Sequence, residues 1–236
     1  MNEHPTADRK TIIRRGLLAT SIILIVLLLD QALKIWIKTH FYLGEEYRIL
    51  PWFRLLFIEN NGMAFGMEMG SKLFLTIFRI FAVIALIWGL TVLCRRRNPV
   101  RTGFLVCIAL ITAGATGNII DCVFYGRIFN NPMPPEVAQL FPESGGYAPL
   151  FFGRVVDMLY FPLFSFNWPE WMPFVGGQEF LFFQPVFNLA DAAISVGVIV
   201  MILFYSKYLS RSEEWRDSDT ESAGSDSEVQ LTEDED

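Results

Sequence analysis

Three aspartates stand at or near the ends of apolar segments, Asp121 in GNIID, Asp157 in GRVVDML and Asp191 in FNLAD. A carboxylate at the edge of a bilayer is costly to keep, so several at one membrane depth indicate a function. Two carboxylates that share a proton can hold a water between them, with one acting as general base and the other as general acid. These residues predict an aspartate-based active site at a membrane face.

Other polar residues fall at the same predicted depth, and each also has a purely structural interpretation. Asp30 and Lys34 are spaced i, i+4 and form a pair that neutralises itself within the first apolar segment. Asn188 is placed to cap a helix with Asp191 in its first turn, and Asn118 to bond between helices. Taken alone, Asp157 also fits a solvated strand residue. The recurrence of asparagine with aspartate at one depth favours a site.

The elements that must position these residues are helices in a membrane. Hydrophobic residues make up 53% of the 236 residues, 22 are Phe, and the mean hydropathy is +0.37. Four segments are long and apolar enough to span about 30 Å of hydrocarbon, at 17–37, 72–93, 102–123 and 186–206. The predicted fold is a membrane all-α protein with four transmembrane helices and a small extracytoplasmic β-element, for which the stretch RLLFIENNGMAFG is the candidate.

Basic residues predict the orientation, because cytoplasmic connections carry an excess of Lys and Arg. They cluster before the first span, between the second and third, and after the fourth: Arg9, Lys10, Arg14, Arg15, Arg95, Arg96, Arg97, Arg101, Lys207 and Arg211. Both termini are therefore expected in the cytoplasm, with loops 38–71 and 124–185 outside. Residues 1–211 are the expected membrane domain. Residues 212–236 hold eleven acidic residues and one Arg, which predicts a disordered acidic cytoplasmic tail.

The sequence offers little for other chemistries. Cys94, Cys107 and Cys122 lack the spacing of a zinc site, and only His4 and His40 are available as histidines. No metal site and no nucleic-acid partner is expected.

Five short motifs in this order resemble the lipoprotein signal peptidase family, also called signal peptidase II, over about residues 17–206. They are DQALK, ENNGMAF, GNIID, RVVDML and FNLADAAIS. The resemblance implies an aspartic endopeptidase of the bacterial inner membrane that cleaves diacylglyceryl-modified prolipoproteins before the lipidated cysteine and is inhibited by globomycin. It implies that Asp157 and Asp191 are the catalytic dyad, and it implies no metal or organic cofactor. The supporting residues that it implies are Asp30, Lys34, Asn60, Gly62, Asn118, Asp121 and Asn188.

Two features depart from the family pattern. Cys122 follows the GNIID aspartate where most members have arginine, and we hypothesise that Arg127 or Arg154 supplies that charge. The segments 126–153 and 160–185 are long and aromatic, and they fit a lid, a partner surface or an element resting on lipid. A proton- or ion-coupled transporter and a catalytically silent scaffold of the same fold remain the alternative functions.

Overall fold

The structure is a computed structural model that describes residues 7–60, 69–97 and 100–206. Four helices in it are long and apolar enough to cross a membrane. They are α1 (Arg9–His40), α2 (Met69–Arg95), α3 (Thr102–Ile120) with its continuation, and α5 (Leu189–Ser206). The continuation of α3 is a π-helical turn, Asp121–Tyr125, followed by α4 (Gly126–Ile128). The prediction of four spanning helices is confirmed.

The observed helices differ from the predicted spans at their ends. The first begins eight residues earlier, at Arg9, because Asp8 caps it and its carboxylate accepts the Thr11 N–H at 3.2 Å. The third span extends to Ile128 and does not stop at 123. The fourth begins at Leu189 and not at 186, because Val186 and Phe187 pair with a strand.

A four-stranded antiparallel sheet forms the expected β-element, in the order β1-β2-β3-β6. Its strands are β1 (Glu46–Leu50), β2 (Phe53–Asn60), β3 (Val155–Tyr160) and β6 (Val186–Phe187). A separate hairpin is formed by β4 (Phe164–Asn167) and β5 (Glu179–Phe182). The larger sheet packs on the last turns of α1 through a buried apolar cluster that includes Ile37, Phe41, Phe57, Val156 and Met158.

Close helix packing depends on two glycines of α3. A Cβ on Gly114 would lie 2.2 Å from the Ala190 carbonyl oxygen, and one on Gly117 would lie 2.8 Å from an Asp30 carboxylate oxygen. Because neither position has room for a methyl group, α3 contacts both α1 and the start of α5 directly. The acidic residues of three segments therefore lie within reach of one another.

Two sequence-based expectations lie outside the described residues. Gly62 is one of them, and the acidic tail 212–236 is the other.

Candidate active site

Asp157 and Asp191 reach the site from different secondary structures. Asp157 lies in β3, a strand flanked on both sides within the sheet, and its side chain is buried. Asp191 is the third residue of α5, and its N–H donates to Oδ1 of Asn188 at 2.9 Å. The expected cap is confirmed, and a carboxylate in the first helical turn is favoured by the helix dipole.

Two asparagines connect the two carboxylates. Nδ2 of Asn188 donates to Oδ1 of Asp157 at 2.7 Å, and Nδ2 of Asn118 donates to Oδ1 of Asp191 at 2.7 Å. The asparagines also contact each other, since Nδ2 of Asn188 lies 3.2 Å from Oδ1 of Asn118. A continuous hydrogen-bonded path therefore runs from one carboxyl group to the other.

Lys34 contacts this hydrogen-bonded path through Asn118. Its ammonium lies 2.9 Å from an Asp30 carboxylate oxygen and 2.8 Å from one of Asp121, and all three side chains are buried. The predicted Asp30–Lys34 pair is confirmed, and Lys34 forms a second ion pair with Asp121. Lys34 donates at 2.9 Å to Oδ1 of Asn118, which directs the amide nitrogen of Asn118 towards Asp191.

Asp30 also acts directly on α5. Its Oδ1 accepts the Ala190 N–H at 2.9 Å, next to the Asp191 N–H that Asn188 accepts. Two amides of the first turn of α5 are thereby satisfied by side chains. The orientation of Asp191 depends on α1 as well as on its own cap.

Gln31 is a site residue that the sequence analysis missed. Its Nε2 donates to Oδ1 of Asp121 at 3.0 Å and lies 3.2 Å from an Asp30 oxygen. Its Oε1 accepts the Tyr125 hydroxyl at 3.1 Å. The available signal was an amide side chain inside an apolar segment, where unpaired polar groups are costly.

The π-helical turn exposes backbone carbonyls that the segment before β3 satisfies. The Gly153 N–H donates to the Cys122 carbonyl at 2.8 Å, and the Phe151 N–H donates to that of Val123 at 3.1 Å. A Cβ on Gly153 would lie 2.1 Å from the Asp121 carbonyl oxygen. Residues 126–153 therefore return tightly against the Asp121 turn before the chain enters the strand that carries Asp157.

The cation beside Cys122 comes from α2. The Arg79 guanidinium lies 3.5 Å from the Cys122 sulfur, whereas Arg127 is exposed and Arg154 donates to Glu59 at 2.9 Å. The contacts thus favour Arg79 for the charge that the sequence analysis assigned to Arg127 or Arg154. Residues 79 and 122 are distant in sequence, so no short motif joins them.

Asn60, the remaining described candidate, ends β2 and is exposed. It pairs with Val155, two residues before Asp157.

A second buried ionic cluster lies one helical turn beyond Lys34. Lys38 pairs with Glu59, and Glu59 also accepts Arg154. The Lys38 ammonium lies 5.2 Å from the ring centroid of Phe129 and 5.3 Å from that of Tyr147. This cluster joins α1, β2 and the segment 126–153.

Burial and the negative charge of Asp191 together raise the pKa of Asp157 to about 7, while the hydrogen bond from Asn188 opposes the shift. At neutral pH the Asp157 carboxyl therefore retains a proton for a large part of the time. A neutral acid beside a second carboxylate is the protonation state that acid–base catalysis by an aspartate pair requires.

Comparison with known proteins agrees with this fold and site. A solved chain titled "Bacterial membrane enzyme structure by the in meso method at 1.9 A resolution" is 25% identical, with a TM-score of 0.54 over 87% of this chain and 99% of that one. A "Lipoprotein signal peptidase" of Porphyromonas gingivalis is 50% identical over 196 residues, or 83% of this chain and 86% of that protein. A "Lipoprotein signal peptidase" of Amoebophilus asiaticus is 37% identical over 77% of this chain and 75% of that protein.

Four spanning helices and these similarities define a multi-pass membrane enzyme. The family model described as signal peptidase (SPase) II matches residues 22–207. The chain belongs to the signal peptidase II family, the lipoprotein signal peptidases.

Proposed function

We propose that this chain removes the signal peptide from diacylglyceryl-modified prolipoproteins, cleaving before the lipidated cysteine, with Asp157 and Asp191 as its catalytic residues. The observation that carries this assignment is the hydrogen-bonded path from Asp157 through Asn188 and Asn118 to Asp191. It holds two carboxylates in one site, and the raised pKa of Asp157 supplies the single proton that the pair needs.

In the proposed reaction, a water between the carboxyl groups attacks the scissile carbonyl carbon. Asp191 takes a proton from that water, while Asp157 donates its own proton to the carbonyl oxygen. Asp191 then protonates the amide nitrogen. The gem-diol collapses as Asp157 recovers its proton from a hydroxyl group, the C=O bond reforms and the C–N bond breaks. The products are a signal peptide with a new carboxyl group and a lipidated cysteine with a free amine.

The remaining candidates have supporting roles in this proposal. Asn118 and Asn188 orient the dyad, because each donates to one catalytic carboxylate. Asp30, Lys34 and Asp121 hold Asn118 and the start of α5 in place. Asn60 and Gly62 are proposed to shape the rim where the peptide lies, an assignment that rests on the ENNGMAF motif.

The topology and location are also proposals. The basic residues before α1 and between α2 and α3 support cytoplasmic termini, with residues 1–211 as the membrane domain and 212–236 as a cytoplasmic tail. The site would then face the extracytoplasmic side of the bacterial inner membrane. Both the lipid and the signal peptide would arrive from the bilayer. Globomycin is the expected inhibitor.

The test is cleavage of a diacylglyceryl-modified prolipoprotein by the purified wild type, Asp157→Asn and Asp191→Asn. Each substitution should reduce turnover by at least about 10³-fold, since losing one member of a catalytic unit removes most of its effect. Glu143→Gln, at an exposed acid, is the matched control and should keep full activity. Substrate binding by both aspartate variants should persist.

Retained cleavage by either Asp variant would overturn the dyad. An inactive but folded wild type that conducts protons in proteoliposomes would favour the transporter alternative. Asp121→Asn should impair cleavage less than either dyad substitution, because Asp30 still pairs with Lys34.

A further inference from the structure

The hairpin of β4 and β5 is a strongly apolar part of the chain. It pairs with no strand of the larger sheet. Every residue of β4 is exposed, and the turn carries Trp171 at 80% exposure and Phe174 at 98%. Aromatic pairs join the two strands, with Phe164 and Phe182 stacked at 4.8 Å between ring centroids. So much exposed aromatic surface indicates a binding surface.

The root of the hairpin lies at the end of a membrane span. Phe187 stands two residues before Leu189, the first residue of α5. The described part of α5 has 18 residues and is about 27 Å long at 1.5 Å per residue, close to the ~30 Å hydrocarbon thickness. The start of α5 must therefore lie near the boundary between hydrocarbon and headgroups.

A row of stacked aromatic rings connects the start of α5 to the base of the hairpin. The Phe161 ring, three residues before β4, lies 5.6 Å from that of Phe187 and 4.8 Å from that of Phe53. Phe183, just after β5, contacts Phe187 edge-on at 6.1 Å. Both ends of the hairpin are therefore held by aromatic contacts at the membrane depth where the last span begins.

The composition of the hairpin fits the headgroup region. Between Phe161 and Phe187 the sequence contains Glu170 and Glu179 and no Lys or Arg. Aromatic rings are favoured where acyl chains meet headgroups, and two carboxylates limit how deeply the segment enters. Phe174 adopts φ 71°, a left-handed conformation that is strained for an aromatic residue and that accompanies its exposure.

From these observations we propose that the β4–β5 hairpin is an interfacial membrane anchor. Its aromatic side chains insert at the headgroup–acyl boundary of the leaflet in which α5 begins. The occupant of this surface is thus lipid, and not a second copy of the chain or another protein. Since the hairpin connects the strand of Asp157 to the helix of Asp191, its anchoring fixes that connection at a defined depth.

The experiment places a nitrobenzoxadiazole fluorophore on Phe174→Cys or Trp171→Cys in the full chain, reconstituted into phosphatidylcholine vesicles. Glu143→Cys, at an exposed position of the 126–153 segment, is the matched control. Wild type treated with the same reagent gives the background from the buried Cys94, Cys107 and Cys122. Quenching by iodide in water is compared with quenching by lipids that carry a nitroxide high on the acyl chain.

Lipid insertion predicts that both hairpin probes are quenched at least twofold more by the nitroxide lipid than the control, and at least threefold less by iodide. Iodide quenching equal to that of the Glu143 probe would overturn the proposal, because the hairpin would then lie in water. Protection from iodide without nitroxide quenching would also overturn it, because protein would then cover the surface. Neither result depends on peptidase activity.

Discussion

Lys34 and Lys38 occupy the same face of α1, one turn apart, and both are almost fully buried, yet their surroundings differ. Lys34 has two carboxylates within 2.9 Å and an asparagine oxygen at the same distance. Lys38 has one carboxylate, that of Glu59, and three aromatic rings with centroids within 5.7 Å. The cost of burying the ammonium group is therefore offset by two carboxylates at Lys34, and by one carboxylate with aromatic rings at Lys38.

The difference lies in what each lysine holds together. Around Lys34 the partners come from α1 and α3, and they connect directly to the dyad asparagines. Around Lys38 they come from β2 and from the segment 126–153, which contributes Phe129 and Tyr147. Lys34 thus stabilises the junction of the spans, whereas Lys38 attaches the long segment to the sheet.

The largest effect is expected for Lys34→Met. Removing this cation leaves Asp30 and Asp121 buried without their common partner, and breaking a buried ion pair in this way costs about 3–5 kcal/mol. Denaturant titration in mixed micelles, followed with a thiol-reactive dye that detects newly exposed cysteines, measures this loss. Asp121→Asn in the same chain should restore part of it. A loss below about 1 kcal/mol would contradict the role given to Lys34.

Lys38→Met should cost less, about 1.5–3 kcal/mol for a lost charged hydrogen bond. Glu59 keeps Arg154 as its partner, so no carboxylate is left alone. The effect should be local: amide hydrogen exchange should accelerate in 126–153 and stay unchanged in α3. Faster exchange in α3 would show that the two clusters are not separate.

Gly117→Ala tests the surroundings of Lys34 from α3, because it acts on Asp30, a partner of Lys34. The added methyl group would lie 2.8 Å from an Asp30 oxygen, and overpacking of this kind costs about 1–3 kcal/mol. Displacing Asp30 should also lower turnover, because Asp30 accepts the Ala190 N–H. Gly16→Ala is the control, since it meets nothing within 4 Å, and it should be neutral or stabilising. Equal unfolding free energies for the two variants would contradict the close contact.

The pH dependence separates the two lysines by their action on Asp157. With its pKa raised to about 7, Asp157 loses the catalytic proton above that pH, so kcat/KM should fall as pH rises through about 7. The positive charge of Lys34 lowers the pKa of Asp157, so Lys34→Met should move this fall to higher pH. Lys38→Met should leave it unchanged. Initial rates from pH 5 to 9 measure both, and a fall displaced by Lys38→Met would contradict the assignment.

The contribution of Asp157 to the free energy of unfolding should also fall as pH rises. Because the folded state holds the Asp157 proton more tightly than the unfolded chain, this group makes unfolding easier as pH rises from about 4 to about 7. Asp157→Asn should remove that part of the pH dependence, which the same denaturant titration detects.

Much of the site could be predicted from short polar motifs in an apolar chain. Asp30 with Lys34, and Asn188 with Asp191, are local pairs whose spacing already dictates their contact. Gln31 and Arg79 could not be found in this way. Their partners Asp121 and Cys122 are distant in sequence and come into contact only when helices pack.

The sequence by itself determined that this chain has four segments able to span a membrane and that Asp121, Asp157 and Asp191 stand at or near the ends of apolar segments. Hydrophobic length and the cost of burying charge act locally, so they can be read from a single segment. Only the tertiary structure decided that Lys34 joins Asp30 to Asp121, that Asn118 points to Asp191, and that residues 164–182 form an exposed aromatic hairpin. Those contacts depend on glycines that let α3 approach α1 and α5, and on strand register, both of which are set when separate segments pack together.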